Sequence, residues 1–125
     1  MRRTVTLPLA VVAGAALAGC GVGVVDEPRT FATASALAER IGCTAFEADT
    51  SDQELVQDAG SCLLDGTSID VHVFSANDLR DQWLDVATEA GGPATFVTGD
   101  RWTVRAMTLA AAEKAAEAAN GDVDY

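Results

Sequence analysis

A strand, a tight turn, a second strand and a helix follow one another twice in the second half of this chain, and that pattern limits the possible folds most. Cys62-Leu63-Leu64, the turn Asp65-Gly66 and the run from Thr67 to Phe74 read as a hairpin. Ser75 and Asp78 then stand at capping-box spacing before Leu79, Trp83, Val86, Ala87 and Ala90, which form one apolar helical stripe. Gly91-Gly92-Pro93 stops that helix. The second unit runs from Thr95 to Thr98, through a turn around Gly99-Asp100, along Arg101 to Met107, and into an alanine-rich helix capped by Thr108 and ending at Ala119 before Asn120-Gly121. Gly66 corresponds to Gly99, Ile69 to Trp102, Val71 to Val104, Val73 to Ala106 and Ser75 to Thr108, a shift of 33 residues. Two units are too few for a solenoid, and either duplication or convergent ββα geometry produces such an echo.

Alternation along the strands assigns their faces. Cys62, Leu64, Ile69, Val71, Val73, Val97, Trp102 and Val104 point toward the helices, whereas Leu63, Ser68, Asp70, His72, Phe74, Phe96, Arg101, Thr103 and Arg105 point away. The expected fold is α+β: two layers, an antiparallel sheet of about four to five strands with helices on one face, and two ββα units. An earlier helix from Thr33 to Ile41 has Ala34, Leu37, Ala38 and Ile41 on one stripe and Gly42 at its C-terminal cap, and Cys43 opens a short strand through Phe46. The acidic segment Glu47 to Gly60 reads as a solvated loop, in which Ser51 and Glu54 have the spacing to cap a helical turn. Asp49, Ser51 and Gln53 suggest a calcium loop, but its central glycine and terminal glutamate are missing.

The beginning of the chain is different in kind. Arg2 and Arg3 precede an apolar run from Val5 to Ala18, 14 residues interrupted by Pro8, whereas a membrane span needs roughly 20. A basic start, a short apolar run and small residues at its end make a secretory signal peptide over residues 1–19. Leu17-Ala18-Gly19-Cys20 resembles the lipobox of bacterial lipoproteins. The resemblance implies that the signal is removed, that Cys20 carries diacylglycerol and usually a further acyl chain, and that the protein is held at the extracytoplasmic face of the cell membrane. Residues 20–29 are then a membrane-proximal linker and residues 30–125 a single domain.

Cleavage before Cys20 leaves 106 residues with six basic and 19 acidic side chains, a net charge of −13. That balance opposes binding to nucleic acid through a basic field. With Cys20 assigned to lipid, Cys43 and Cys62 remain, and in an oxidising compartment they are expected to form one disulfide. Two cysteines and one distant histidine make a poor metal set, so neither a metal nor a cofactor is expected.

Ser68, Asp70 and His72 are the residue types of a hydrolase triad, but residues two apart on a strand point in parallel, whereas a triad needs them to converge. Trp83 and Trp102 read as core anchors. The body also resembles a plan found in small secreted or lipid-anchored actinobacterial proteins: Gly42-Cys43 after a helix, Gly60-Ser61-Cys62, Val73-Phe74 leading to Leu79-Arg80-Asp81-Gln82-Trp83-Leu84, and Val97-Thr98-Gly99-Asp100-Arg101-Trp102-Thr103-Val104. The likeness implies export and a fold, not an activity. The expected role is that of a non-catalytic binding or adaptor domain of the envelope, with an unidentified envelope protein or ligand as partner and Leu63, Asp70, His72, Phe74, Phe96, Arg101 and Arg105 as its binding face. The alternative is a hydrolase-like envelope enzyme. The acidic segment, the C-terminal helix or a second copy are the candidates to cover that face instead.

Overall fold

The computed structural model describes residues 30–124. Residues 1–19, expected as a signal peptide, Cys20 and residues 20–29, expected as a linker, lie outside the described residues, as does Tyr125.

Helix α1 (Ala34–Ile41) is capped by the Thr33 hydroxyl, which accepts from the Ala36 N–H, and it ends at Gly42 in the left-handed region that favours glycine. Strand β1 (Thr44–Ala48) follows, then β2 (Asp58–Leu64) and β3 (Thr67–Val73), which pair as a hairpin. Asp65 and Gly66 both have positive φ, the requirement of the two-residue turn expected there. Helix α2 (Asn77–Glu89), strands β4 (Thr95–Gly99) and β5 (Trp102–Ala106), helix α3 (Leu109–Ala119) and strand β6 (Asp122–Asp124) complete the order. Thr108 caps α3 at the Ala111 N–H, as expected.

The α+β class holds. All neighbouring strands are antiparallel, in one sheet ordered β1-β2-β3-β5-β4-β6. The sheet has six strands, against the four to five expected. The additional one is β6, three residues that return beside β4 and pair Val123 with Val97.

The core lies on the expected face. Ala34, Leu37, Ala38 and Ile41 of α1 and Ala111, Ala112, Ala115, Ala116 and Ala119 of α3 pack on Cys62, Leu64, Ile69, Val71, Val73, Val97, Trp102 and Val104. Alanine along α3 lets that helix sit close to the sheet, and Trp102, 0% exposed, fills the space that remains. Gly99 and Gly121 lie against its indole, where a Cβ at either position would collide with the ring. Phe31 meets Trp102 edge-on with ring centroids 6.1 Å apart. Cys43 and Cys62 are disulfide-bonded, which ties the end of α1 to β2.

Three local expectations are corrected. Helix α2 is not on the face with α1 and α3; its Trp83 packs on His72, Phe74 and Phe96, side chains of the opposite face. The two units are therefore not equivalent, because the segment after β3 carries its helix across to the other side. The second hairpin turns at Asp100-Arg101, with Arg101 left-handed, so Arg101 belongs to the turn and not to the sheet face. Neither proposed serine cap forms: Ala76 occupies the N-cap of α2 without a side-chain bond, and Ser51 bonds to Asp49.

Candidate functional site

The face turned away from α1 and α3 divides into a covered half and an open half. Over the covered half lies α2, held at its N-terminal end by the β4–β5 turn. Asn77 donates to Asp100 Oδ1 at 3.0 Å and accepts from the Arg101 N–H at 2.7 Å, and Arg80 donates to the Gly99 carbonyl. Trp83 then lies on His72 with ring centroids 4.4 Å apart, on Phe74 at 5.8 Å and on Phe96 at 5.9 Å. Phe74, Phe96 and His72, expected as parts of a binding face, are buried. The cover is neither the acidic segment nor the C-terminal helix, but α2.

Over the open half the strand register lines up a polar row. Glu47 of β1 pairs with Ser61 of β2, Ser61 with Asp70 of β3, and Asp70 with Arg105 of β5. Glu47 reaches this face because β1 carries a bulge: Thr44 pairs with Leu63 and Glu47 with Ser61, so one extra residue is inserted, and Ala45 has positive φ. Arg105 Nη1 approaches Asp70 Oδ2 at 3.4 Å, a part-exposed pair that adds little stability, about 0–1 kcal/mol. Leu63 is exposed beyond this row.

The segment after β1 folds back to form a wall. Asp49 donates its N–H to the Ala59 carbonyl, and its carboxylate accepts from the Ser51 N–H at 2.9 Å, the Ser51 hydroxyl at 2.6 Å and Gln53 Nε2 at 2.9 Å. These bonds, that from the Ser51 side chain foremost, hold the Asp49 carboxyl below the usual carboxylate range. The trio weighed as a calcium loop is thus an Asx turn whose members satisfy one another. Among the described residues, no three or more His, Cys, Asp or Glu side chains are placed to hold a metal ion.

Between this wall and β3 lies a cavity of about 430 Å³, lined by Glu47, Asp49, Gln53, Ser61, Asp70 and His72 among others. That volume is within the range of small-ligand clefts, roughly 300–1,000 Å³. Its rim is acidic and its buried wall is His72, 8% exposed, whose Nδ1 has no hydrogen-bond partner; the Oγ1 of Thr103, its neighbour on β5, has none either. Asp70 turns to Arg105, and Nδ1 of His72 is bonded to nothing, so the Asp–His link of a hydrolase relay through that nitrogen is not made.

Burial lowers the His72 pKa from its ordinary 6.5; Asp70 and Asp49 oppose this and Arg105 adds to it. A histidine with a depressed folded pKa takes up its proton more readily in the unfolded chain, so stability is lost as pH falls below about 6.5. His72 is the one histidine of the chain, and the window between about pH 6.5 and 5 lies above most carboxylate titration. The melting temperature is expected to fall across that window, and the His72→Phe variant to show a flatter profile. A wild-type melting temperature that holds or rises on acidification would contradict the buried, neutral imidazole.

Of the site residues, Asp70 and His72 were indicated by their shared strand face. Glu47, Asp49, Gln53 and Ser61 were not assigned to it, because a bulge and a folded-back loop bring them there. Comparison with known proteins returned no matching family model, no matching curated protein and no matching solved structure.

Proposed function

We propose that this protein is a lipoprotein held at the extracytoplasmic face of the cell membrane by lipid on Cys20, and that its folded body is a non-catalytic binding domain of the envelope. The placement is carried by one observation, Leu17-Ala18-Gly19-Cys20 behind a basic start and a short apolar run. The Cys43–Cys62 disulfide agrees with an oxidising compartment. The likeness of the body to small secreted actinobacterial proteins supports the same placement. Support for binding comes from the half-open sheet face, where α2 leaves a charged cleft beside Leu63 and Arg105 uncovered. A partner meets the membrane-held domain there, with no reaction required.

The Cys20→Ala variant is expected to remain as uncut precursor and to lose all labelling by a fatty-acid analogue, because both steps need the thiol. Variant protein that is still cut after Gly19 and still labelled would refute the tether.

A further inference from the structure

We infer that α2 is a releasable cover, which lifts off the buried aromatic strip of His72, Phe74 and Phe96 when His72 takes up a proton. The opening follows from how α2 is held; that the uncovered strip serves recognition rests on the reading of the body as a binding domain.

The seat of α2 is shallow. Helix α1 buries Ala34, Leu37, Ala38 and Ile41, and α3 buries five alanines, whereas no residue of α2 is buried. Leu79, Trp83 and Leu84 stay partly open to solvent, and Val86 is 64% exposed. The N-cap, Ala76, offers no side-chain bond. On the outer side Asp81, Asp85 and Glu89 stand at intervals of four, where like charges weaken a helix. Segments with few buried apolar contacts open before the rest of a domain.

The helix is also fastened at one end. Asn77 and Arg80 tie its first turn to the β4–β5 turn, and the bonds of Asn77 are exposed. Past its other end come Gly91 and Gly92, both with positive φ and with open space where a Cβ would stand. Such a pair leaves the chain free to pivot.

What lies beneath makes the opening sensitive to acid. His72 is buried against Trp83, ring centroids 4.4 Å apart, and its Nδ1 and the Oγ1 of Thr103 beside it are buried without a hydrogen-bond partner. Lifting α2 takes the indole from the imidazole and admits water to the ring. In the closed form burial opposes a charged ring; Asp70 of β3 and Asp49 of the wall favour the charge, Arg105 of β5 opposes it, and the balance keeps the imidazole neutral. Ala59 lies beside it on β2, and Glu47 of β1 stands two strands away, opposite Ser61. On α2, Arg80 is the charged residue one turn before Trp83, and it is turned to the Gly99 carbonyl and Asp81.

Once uncovered, the imidazole regains its ordinary pKa of 6.5. The closed form is therefore favoured above that pH and loses ground below it. One proton shifts the opening by at most about thirtyfold between pH 8 and pH 5, and attraction of an imidazolium to the indole face reduces that gain.

The test is hydrogen–deuterium exchange of the full-length lipidated protein in detergent micelles at pH 8 and pH 5, read by mass spectrometry as protection relative to the free-chain rate at each pH. Residues 77–89 are expected to be about tenfold or more less protected than α1 and α3 at pH 8, and to lose up to about thirtyfold more at pH 5. Low urea should speed exchange in α1 and α3 and change α2 little, because lifting a cover exposes less surface than unfolding the domain. His72→Phe should keep α2 the least protected helix and remove its dependence on pH. Asn77→Ala, at an exposed site, should lower the protection of α2 at both pH values, and it carries the test if His72→Phe does not fold. An α2 as protected as α1 and α3, or one whose protection does not fall at pH 5, overturns the proposal. So do urea effects alike in all three helices, a pH dependence that persists in His72→Phe, or unchanged α2 exchange in Asn77→Ala. If α2 proves firmly held while an envelope partner is captured by the wild type and lost by Arg105→Ala, the cover falls and the binding-domain reading stands.

Discussion

Replacing Trp102 with alanine is expected to cost about 3–5 kcal/mol, within the range for deleting a large buried aromatic and a large part of the roughly 5–15 kcal/mol that holds a typical domain together. The ring is 0% exposed and stands between the sheet and both core helices, with Phe31, Gly99 and Gly121 around it. From α3 only alanine methyls face the core, too short to fill the space left behind. Urea unfolding measures the loss; a change below about 1 kcal/mol would mean the indole is not the keystone the packing implies. The same geometry predicts non-additivity. Gly99→Ala puts a methyl into the indole and should destabilise the wild type, but it should be nearly harmless in a Trp102→Ala background, where the obstacle is gone.

Breaking the Cys43–Cys62 bond is expected to cost about 3 kcal/mol in the chain-entropy account of a loop of this size. The two residues are 19 apart in sequence, with Cα atoms 5.8 Å apart. The bridge closes over β1 and the folded-back acidic segment, a stretch with few buried side chains to hold it otherwise. At roughly 4–8 °C per kcal/mol for a domain of this length, reductant or the Cys43→Ala/Cys62→Ala variant should lower the melting temperature by roughly 12–24 °C. An unchanged melting temperature after complete reduction would show that packing alone fixes β1 and the Asp49 segment.

Much of the fold could be read from the sequence because the signals were local and repeated. Alternation placed Ile69, Val71, Val73, Val97, Trp102 and Val104 on one face, and the structure buries all six there. Gly42 and Thr108 marked ends of α1 and α3 because capping depends only on nearby backbone, whereas Thr33, expected as the first helical residue, is the N-cap of α1. The side taken by α2 was not legible in this way. Its stripe around Leu79, Trp83 and Ala87 is apolar whichever face receives it, and the choice lies in the path of Phe74 to Ala76 and in the bonds of Asn77 to the distant turn at Asp100-Arg101. Nor does Asp122-Val123-Asp124 resemble a strand: it is too short and too charged, and only the free side of β4 makes it one.

The cleft was half legible for a related reason. Asp70 and His72 lie two apart on one strand, a relation that alternation shows directly. Glu47 sits on the same face only because the bulge at Ala45 reverses its parity, and Asp49 arrives through a turn closed by its own neighbours. Phe74 and Phe96 follow the alternation and share the predicted face, yet they are covered, because the face a side chain takes is a local property whereas its exposure depends on what packs above it.

We propose that this domain is held to a membrane by lipid on Cys20, a claim that mass spectrometry of the N-terminal peptide of protein isolated from the envelope can decide. The expected peptide begins at Cys20 and carries a diacylglyceryl group on the thiol. A peptide that retains residues 1–19, or a Cys20 without lipid, would contradict the claim.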